Sequence, residues 1–169
     1  DNYRGIISFG KDGGEASQYG FGYAFYATGW RFFIITSDFS VDQWTSLPYA
    51  SAPAGQWTHL AATYDGSDLI LYKNGSIAET KGMTGDIVWP SDLGDMYIGS
   101  FNKGNSDYFF SGEIDEIRLW NIVRSGSQIK GNRSINLIGN ESGLVSYWMA
   151  DEYLGTTLND QTTNNINGE

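Results

Sequence analysis

Oxygen is the only metal-ligand chemistry that this sequence offers in quantity. The chain has 169 residues, no cysteine and one histidine, His59, so disulfides, thiolate centres and catalytic thiols are excluded. A lone imidazole does not build a zinc or copper centre with its usual partners. No Ser–His–acid pattern converges on His59 either, and it reads as a strand residue with a satisfied ring. Calcium is therefore the metal to consider, since it takes oxygen ligands alone. The second available chemistry is stacking. Six Trp and eleven Tyr are many for this length, and the apolar face of a sugar packs on aromatic rings while polar side chains bond its hydroxyls. Trp30, Trp44, Trp89 and Tyr108 flank turns, where a ring is exposed and within reach of a ligand. Asn102, Asn105 and Asp107 supply polar contacts beside Tyr108. Trp57, Trp120 and Trp148 stand inside strand-like runs and are assigned to packing.

Charge narrows the partners further. Twenty acidic against ten basic side chains give a formal charge of -10, which argues against nucleic acid, because phosphate-backbone binding draws most of its affinity from Lys and Arg. No apolar run approaches the length that spans a bilayer, and residues 1 to 20 show neither the basic start nor the apolar stretch of a signal peptide. The expectation is a processed or excised piece of a secreted or surface protein, with no membrane insertion.

The elements that must position these groups are strands. Segments rich in aromatic and β-branched residues recur at short intervals between Gly, Asn, Asp and Ser, without a long 3.6-residue apolar period. They predict strands at Arg4–Gly10, Tyr19–Tyr26, Trp30–Ser37, Val41–Leu47, Trp57–Tyr64, Leu69–Lys73, Ser76–Lys81, Met96–Ser100, Gly112–Trp120 and Leu144–Met149. Asn74-Gly75 predicts a type I′ hairpin, since both central residues tolerate positive φ. One short helix is expected near 125–131, capped by Ser125 and ended by Gly131 or Asn132. Residues 1–155 read as one sandwich and 156–169 as a polar tail, with only Leu158 and Ile166 to bury, weakly held or dependent on a neighbour.

Two motifs carry a family resemblance. The stretch Gly55-Gln56-Trp57-Thr58-His59-Leu60-Ala61-Ala62-Thr63-Tyr64-Asp65-Gly66, followed by Leu69–Gly75, resembles the central hairpin of laminin-G-like and pentraxin-like domains. Phe110-Ser111-Gly112-Glu113-Ile114-Asp115-Glu116-Ile117-Arg118-Leu119-Trp120 resembles their late strand, which precedes a short helix and a closing strand like Gly143–Trp148. Order and spacing agree over residues 50 to 150. The resemblance implies an all-β, antiparallel two-sheet jelly-roll sandwich of the concanavalin A-like kind. It also implies a face that often carries a carbohydrate or protein ligand, commonly with calcium at the loop rim.

What the resemblance implies for individual residues can be tested against their types. Jelly-roll β-glucanases carry three carboxylates at alternating positions on one strand. Glu113-Ile114-Asp115 begins that pattern, but Ile117 stands where the third carboxylate belongs, so catalysis is not expected. Asp115 corresponds to a structural calcium ligand of such domains. Asp1-Asn2 corresponds to the pentraxin Asp-Asn pair, with Asn102, Asn105 and Asp107 as the donors of a later loop. The candidate metal set is thus Asp1, Asn2, Asp107 and Asp115. The candidate ligand set is Trp30, Trp44, Tyr108, Asn102 and Asn105. Such domains usually have another strand before the segment matching Tyr3–Gly10, so the first strand is missing here or comes from elsewhere, such as a neighbouring copy or module. These features together predict a non-catalytic, lectin-like binding module of an extracellular or cell- or virion-surface protein, with a glycan or surface protein as partner. The alternative is a structural or adhesive module that assembles with others in a fibre, virion or surface array.

Overall fold

The structure is a computed structural model that describes residues 4–9, 20–26, 29–38, 43–48, 53–89, 95–100 and 109–169, with backbone alone for 25–26 and 43–48. It divides into two units, Asp1–Ser111 and Gly112–Glu169.

In the first unit the aromatic and β-branched runs pair into two antiparallel sheets. Strands β1 (Arg4–Phe9), β2 (Phe21–Tyr26), β3 (Gly29–Ile34), β4 (Gln43–Pro48) and β8 (Met96–Ile98) form one sheet in the order β4-β3-β2-β1-β8. Strands β5 (Leu60–Tyr64), β6 (Asp68–Lys73) and β7 (Ser76–Gly82) form the other in chain order. Side chains alternate between faces, and the register sorts them. Tyr23 stands opposite Phe32 and Phe21 opposite Ile34, so the odd residues of β2 and the even residues of β3 share a face. That face packs on the second sheet: Tyr23 and Trp30 cluster with Leu71, and Ile34 with Leu69 and Met83. A bulge between Gly5 and Ile7 inserts Ile6 as the extra residue, and Ile6 and Ile7 both pack against the first cluster.

Trp30 is therefore corrected. It flanks a turn, as its sequence setting suggests, but its ring is 9% exposed and lies 5.9 Å from Phe110, inside the sandwich. Trp57 is corrected in the opposite sense. Strand β5 begins only at Leu60, and the Trp57 ring, outside the ladder, is 67% exposed.

The predicted hairpin forms between β6 and β7, with Asn74 at φ 50° and Gly75 at φ 78°. Asn74 also ties the turn to β5: its N–H donates to the His59 carbonyl, and its Oδ1 accepts from the His59 N–H at 3.0 Å.

One inner group is badly served. Among the described residues the Tyr23 hydroxyl has no hydrogen-bond partner, and burial pushes its pKa far above the usual phenol range. An unbonded buried hydroxyl costs about 1–3 kcal/mol. Tyr23→Phe is thus expected to hold or raise stability, by up to about 1 kcal/mol and a few degrees in Tm, read by thermal unfolding.

The second unit contains β9 (Ile117–Trp120), α1 (Gly126–Asn132) and β10 (Leu144–Trp148), with β9 and β10 paired antiparallel. Ser125 caps α1 as predicted: its Oγ accepts from the Gln128 N–H, while the Gln128 side chain reaches back to the Ser125 N–H. Ile129 is the helix residue that becomes buried.

Residues 156–169 are held far more firmly than their composition suggests. Asp160 pairs with Trp148, Leu158 pairs with Gly168, and the Trp148 indole N–H donates to the Ile166 carbonyl at 2.8 Å. The polar side chains, which read as signs of looseness, are the fastening.

Candidate functional site

The best-placed aromatic of the first unit is Trp89. A short pairing beyond the sheets carries it: the Val88 N–H donates to the Ile35 carbonyl, the Ser37 N–H to the Asp86 carbonyl, and Thr36 bridges Ile87. The Gly20 N–H donates to the Val88 carbonyl and fixes the other side. Trp89 is 51% exposed, yet two edge contacts hold its ring, one to Phe9 at 5.6 Å and one to Phe21 at 6.3 Å. Edge-on packing of this kind leaves an aromatic face oriented at little entropic cost on binding.

Polar groups line the same segment. The exposed Thr84 hydroxyl donates to Asp38 Oδ2 at 2.7 Å, and the Asp86 N–H donates to Ser37 Oγ at 3.1 Å. Gly85, at φ +94°, lets the two stretches meet, because a Cβ there would come within 2.8 Å of Ser37 Oγ and 2.9 Å of Asp38 N. The Tyr64 hydroxyl donates to the Gly85 carbonyl. Its pKa is raised by desolvation first and then by Asp38, Asp65 and Asp86, so three carboxylates lie close enough to act on it. The segment thus carries a half-exposed indole and, three to five residues before it in the chain, an exposed carboxylate and hydroxyl, groups that suit a neutral polyhydroxylated ligand.

The other face of the five-stranded sheet carries a cross-strand row. Register places Trp44, Phe33, Gly22, Ser8 and Tyr97 in line from β4 to β8. Any side chain at Gly22 would overlap the Phe33 ring, so that ring lies across β2. Phe33 escapes a reading that looks for turn-flanking aromatics. Its signal is the alternation of β3, which sends 30, 32 and 34 one way and 31 and 33 the other. Trp44, a sequence candidate, is the register partner of Phe33. Asp1, Asn2, Asn102, Asn105, Asp107 and Tyr108 lie outside the described residues.

The acidic motif of the second unit is not a strand. Strand β9 starts at Ile117, after Glu116 turns into the left-handed region at φ 56°, so Glu113 and Asp115 are not alternating strand positions. Glu116 is fully engaged: it pairs with Arg118 and accepts from the Tyr147 hydroxyl at 2.7 Å and 2.9 Å. Arg118 stacks over the Tyr147 ring and donates to the Asn132 and Ile135 carbonyls.

Asp115 is exposed, and its pKa is raised, by desolvation first and then by repulsion from Glu116 and Asp151. A raised folded-state pKa means that the folded chain holds the proton more tightly. That contribution to stability is present below the unfolded pKa and is lost as pH rises through the folded one. Asp115→Asn is therefore expected to raise Tm at neutral pH and to leave it unchanged at strongly acid pH, measured by thermal melts across pH. As a calcium ligand Asp115 fits in part. A divalent cation would relieve its repulsion, but the neighbouring Glu116 is already committed. Among the described residues no three acidic or imidazole side chains gather at metal-binding spacing.

The two packed antiparallel sheets and, among the described residues, one short helix define a concanavalin A-like β-sandwich. A profile for the laminin-G-type branch of the concanavalin A-like lectin/glucanases superfamily matches residues 1–130, and the chain belongs to that family. It is 32% identical over 99 residues to pappalysin-1 of Mus musculus and 30% identical over 99 residues to pappalysin-1 of Homo sapiens. Those stretches cover 58% of this chain and 6% of each relative, so the chain spans a small fraction of their length. Among solved structures, a Bacteroides ovatus protein provisionally assigned to carbohydrate binding superposes with a TM-score of 0.73 at 22% identity, covering 99% of this chain and 47% of that one. At that identity the likeness concerns the fold.

Proposed function

We propose that this chain is a non-catalytic carbohydrate-binding module of a larger extracellular or surface protein. The observation that carries the reading is the half-exposed Trp89 indole, held in T-shaped contact with Phe9 and Phe21 at the end of a segment that also carries the exposed Thr84 and Asp86. The tentative assignment of the Bacteroides ovatus neighbour points the same way. Catalysis has no support in the acidic motif, because Glu116 is tied up in an ion pair with Arg118 and a hydrogen bond from Tyr147, and Ile117 occupies the third position of the glucanase pattern. Calcium assistance is part of the proposal, through Asp115 and, as family position implies, Asp1, Asn2 and Asp107. A glycan array probed with and without calcium tests the whole reading. Binding to at least one glycan supports it, and no binding in either condition ends it. Loss of signal on chelation would assign calcium a role, while an unchanged signal would remove it.

A further inference from the structure

Gly20 is bound into a closed ring of backbone hydrogen bonds. Its N–H donates to the Val88 carbonyl at 2.9 Å, the Val88 N–H donates to the Ile35 carbonyl at 2.9 Å, and the Ile35 N–H donates back to the Gly20 carbonyl at 3.1 Å. Three stretches of chain meet there: the entry to β2, the exit of β3 and the segment that ends in Trp89. Each of the three residues gives one bond and takes one, so none shifts without straining two. The residue at the Gly20 corner has to be glycine. Its φ is +87°, and a Cβ there would overlap the Phe9 carbonyl and stand 3.2 Å from the Phe9 ring.

The same corner adjoins the groups that orient Trp89. Val88, whose carbonyl Gly20 holds, is the chain neighbour of Trp89. Phe9, against which Gly20 lies, and Phe21, which follows it, are the two rings in T-shaped contact with the indole, at 5.6 Å and 6.3 Å. Those two rings stack on each other at 6.1 Å, so a shift of one is felt by the other. A side chain at Gly20 would therefore act on the carbonyl before the indole and on both rings beside it, while Gly20 itself is buried. We propose that Gly20 is the positioning residue of Trp89 and, resting on the binding role proposed for that indole, sets the affinity for glycan from a buried position. A ring held in place before binding loses less entropy when a sugar stacks on it.

Fluorine NMR on the full chain labelled with fluorotryptophan tests the positioning directly, the Trp89 signal being the one that Trp89→Ala removes. In Gly20→Ala that signal should move or broaden while the remaining Trp signals keep their places, which a general loss of structure would not allow. Titration with the best ligand of the glycan array should show affinity about tenfold weaker in Gly20→Ala. Adding Gly20→Ala to Trp89→Ala should cost nothing further, because both act through one ring. An unmoved Trp89 signal in folded Gly20→Ala overturns the proposal. So does full affinity in Gly20→Ala where Trp89→Ala weakens binding, or a further loss in the double variant. Undiminished binding by Trp89→Ala, or no binding by the unmodified chain, removes the glycan reading instead, and the Trp89 signal still decides whether Gly20 positions the indole. If Gly20→Ala does not fold, amide exchange decides. Coupling is reciprocal, so Trp89→Ala should speed exchange of the Gly20 N–H by about fivefold or more, and an unchanged rate overturns the proposal.

Discussion

Asp160→Ala is expected to lower stability by about 3–5 kcal/mol, which denaturant unfolding followed through the Trp signal would read. The carboxylate is 8% exposed and accepts from three backbone N–H groups, those of Tyr147, Thr162 and Ile166, and from the Thr162 hydroxyl. Alanine leaves those donors without an acceptor, at about 1–3 kcal/mol for each one that stays buried. The same site sets a pH dependence. Burial alone would raise the Asp160 pKa, but the bonds from Tyr147, Thr162 and Ile166 outweigh it and hold the carboxyl below its usual range. A depressed folded-state pKa gives stability that is complete above the unfolded pKa and is lost as pH falls through the folded one. Acid unfolding should therefore be shallower in Asp160→Ala than in the unmodified chain. An identical acid limb in both would remove Asp160 as its source.

Trp89→Ala is expected to weaken glycan binding by roughly thirtyfold, equivalent to about 2 kcal/mol, as for a central Trp anchor. Because the ring is half exposed, folding should survive the change, and Phe9 and Phe21 lose only edge contacts. Titration of the array's best ligand against both proteins checks this. Unchanged affinity would move the site elsewhere, and the Phe33–Trp44 row on the other sheet face would be the next place to mutate.

Local chemistry was legible in the sequence. Asn74-Gly75 and Ser125 through Gln128 act through groups a few residues apart, so the hairpin and the capped helix follow from residue type alone. The two motifs and their order likewise point to the sandwich. What failed was anything that depends on which strand lies alongside which. Trp30 and Trp57 exchanged their expected places because burial is decided by register: Trp30 faces Leu71 across the sandwich, whereas Trp57 precedes β5. Glu116 broke its strand by adopting a positive φ that nothing in its residue type announces. Residues 156–169 looked loose because Asp, Thr and Asn are polar. Their partners are the backbone of β10, and a one-dimensional pattern does not show a strand's unmet hydrogen bonds.

The hold of residues 156–168 on β10 also bears on chain entropy. Their bonds to β10 span 13 to 19 residues, as between Tyr147 and Asp160 or Val145 and Asn164. The first unit closes much longer loops: Ser8 reaches Ser100 across 92 positions, and Arg4 reaches Phe109 across 105. Loop closure costs more entropy as loops lengthen, and non-local pairing slows folding. Loop closure therefore favours early structure around β10, and completion of the five-stranded sheet requires the two distant ends of its unit to meet.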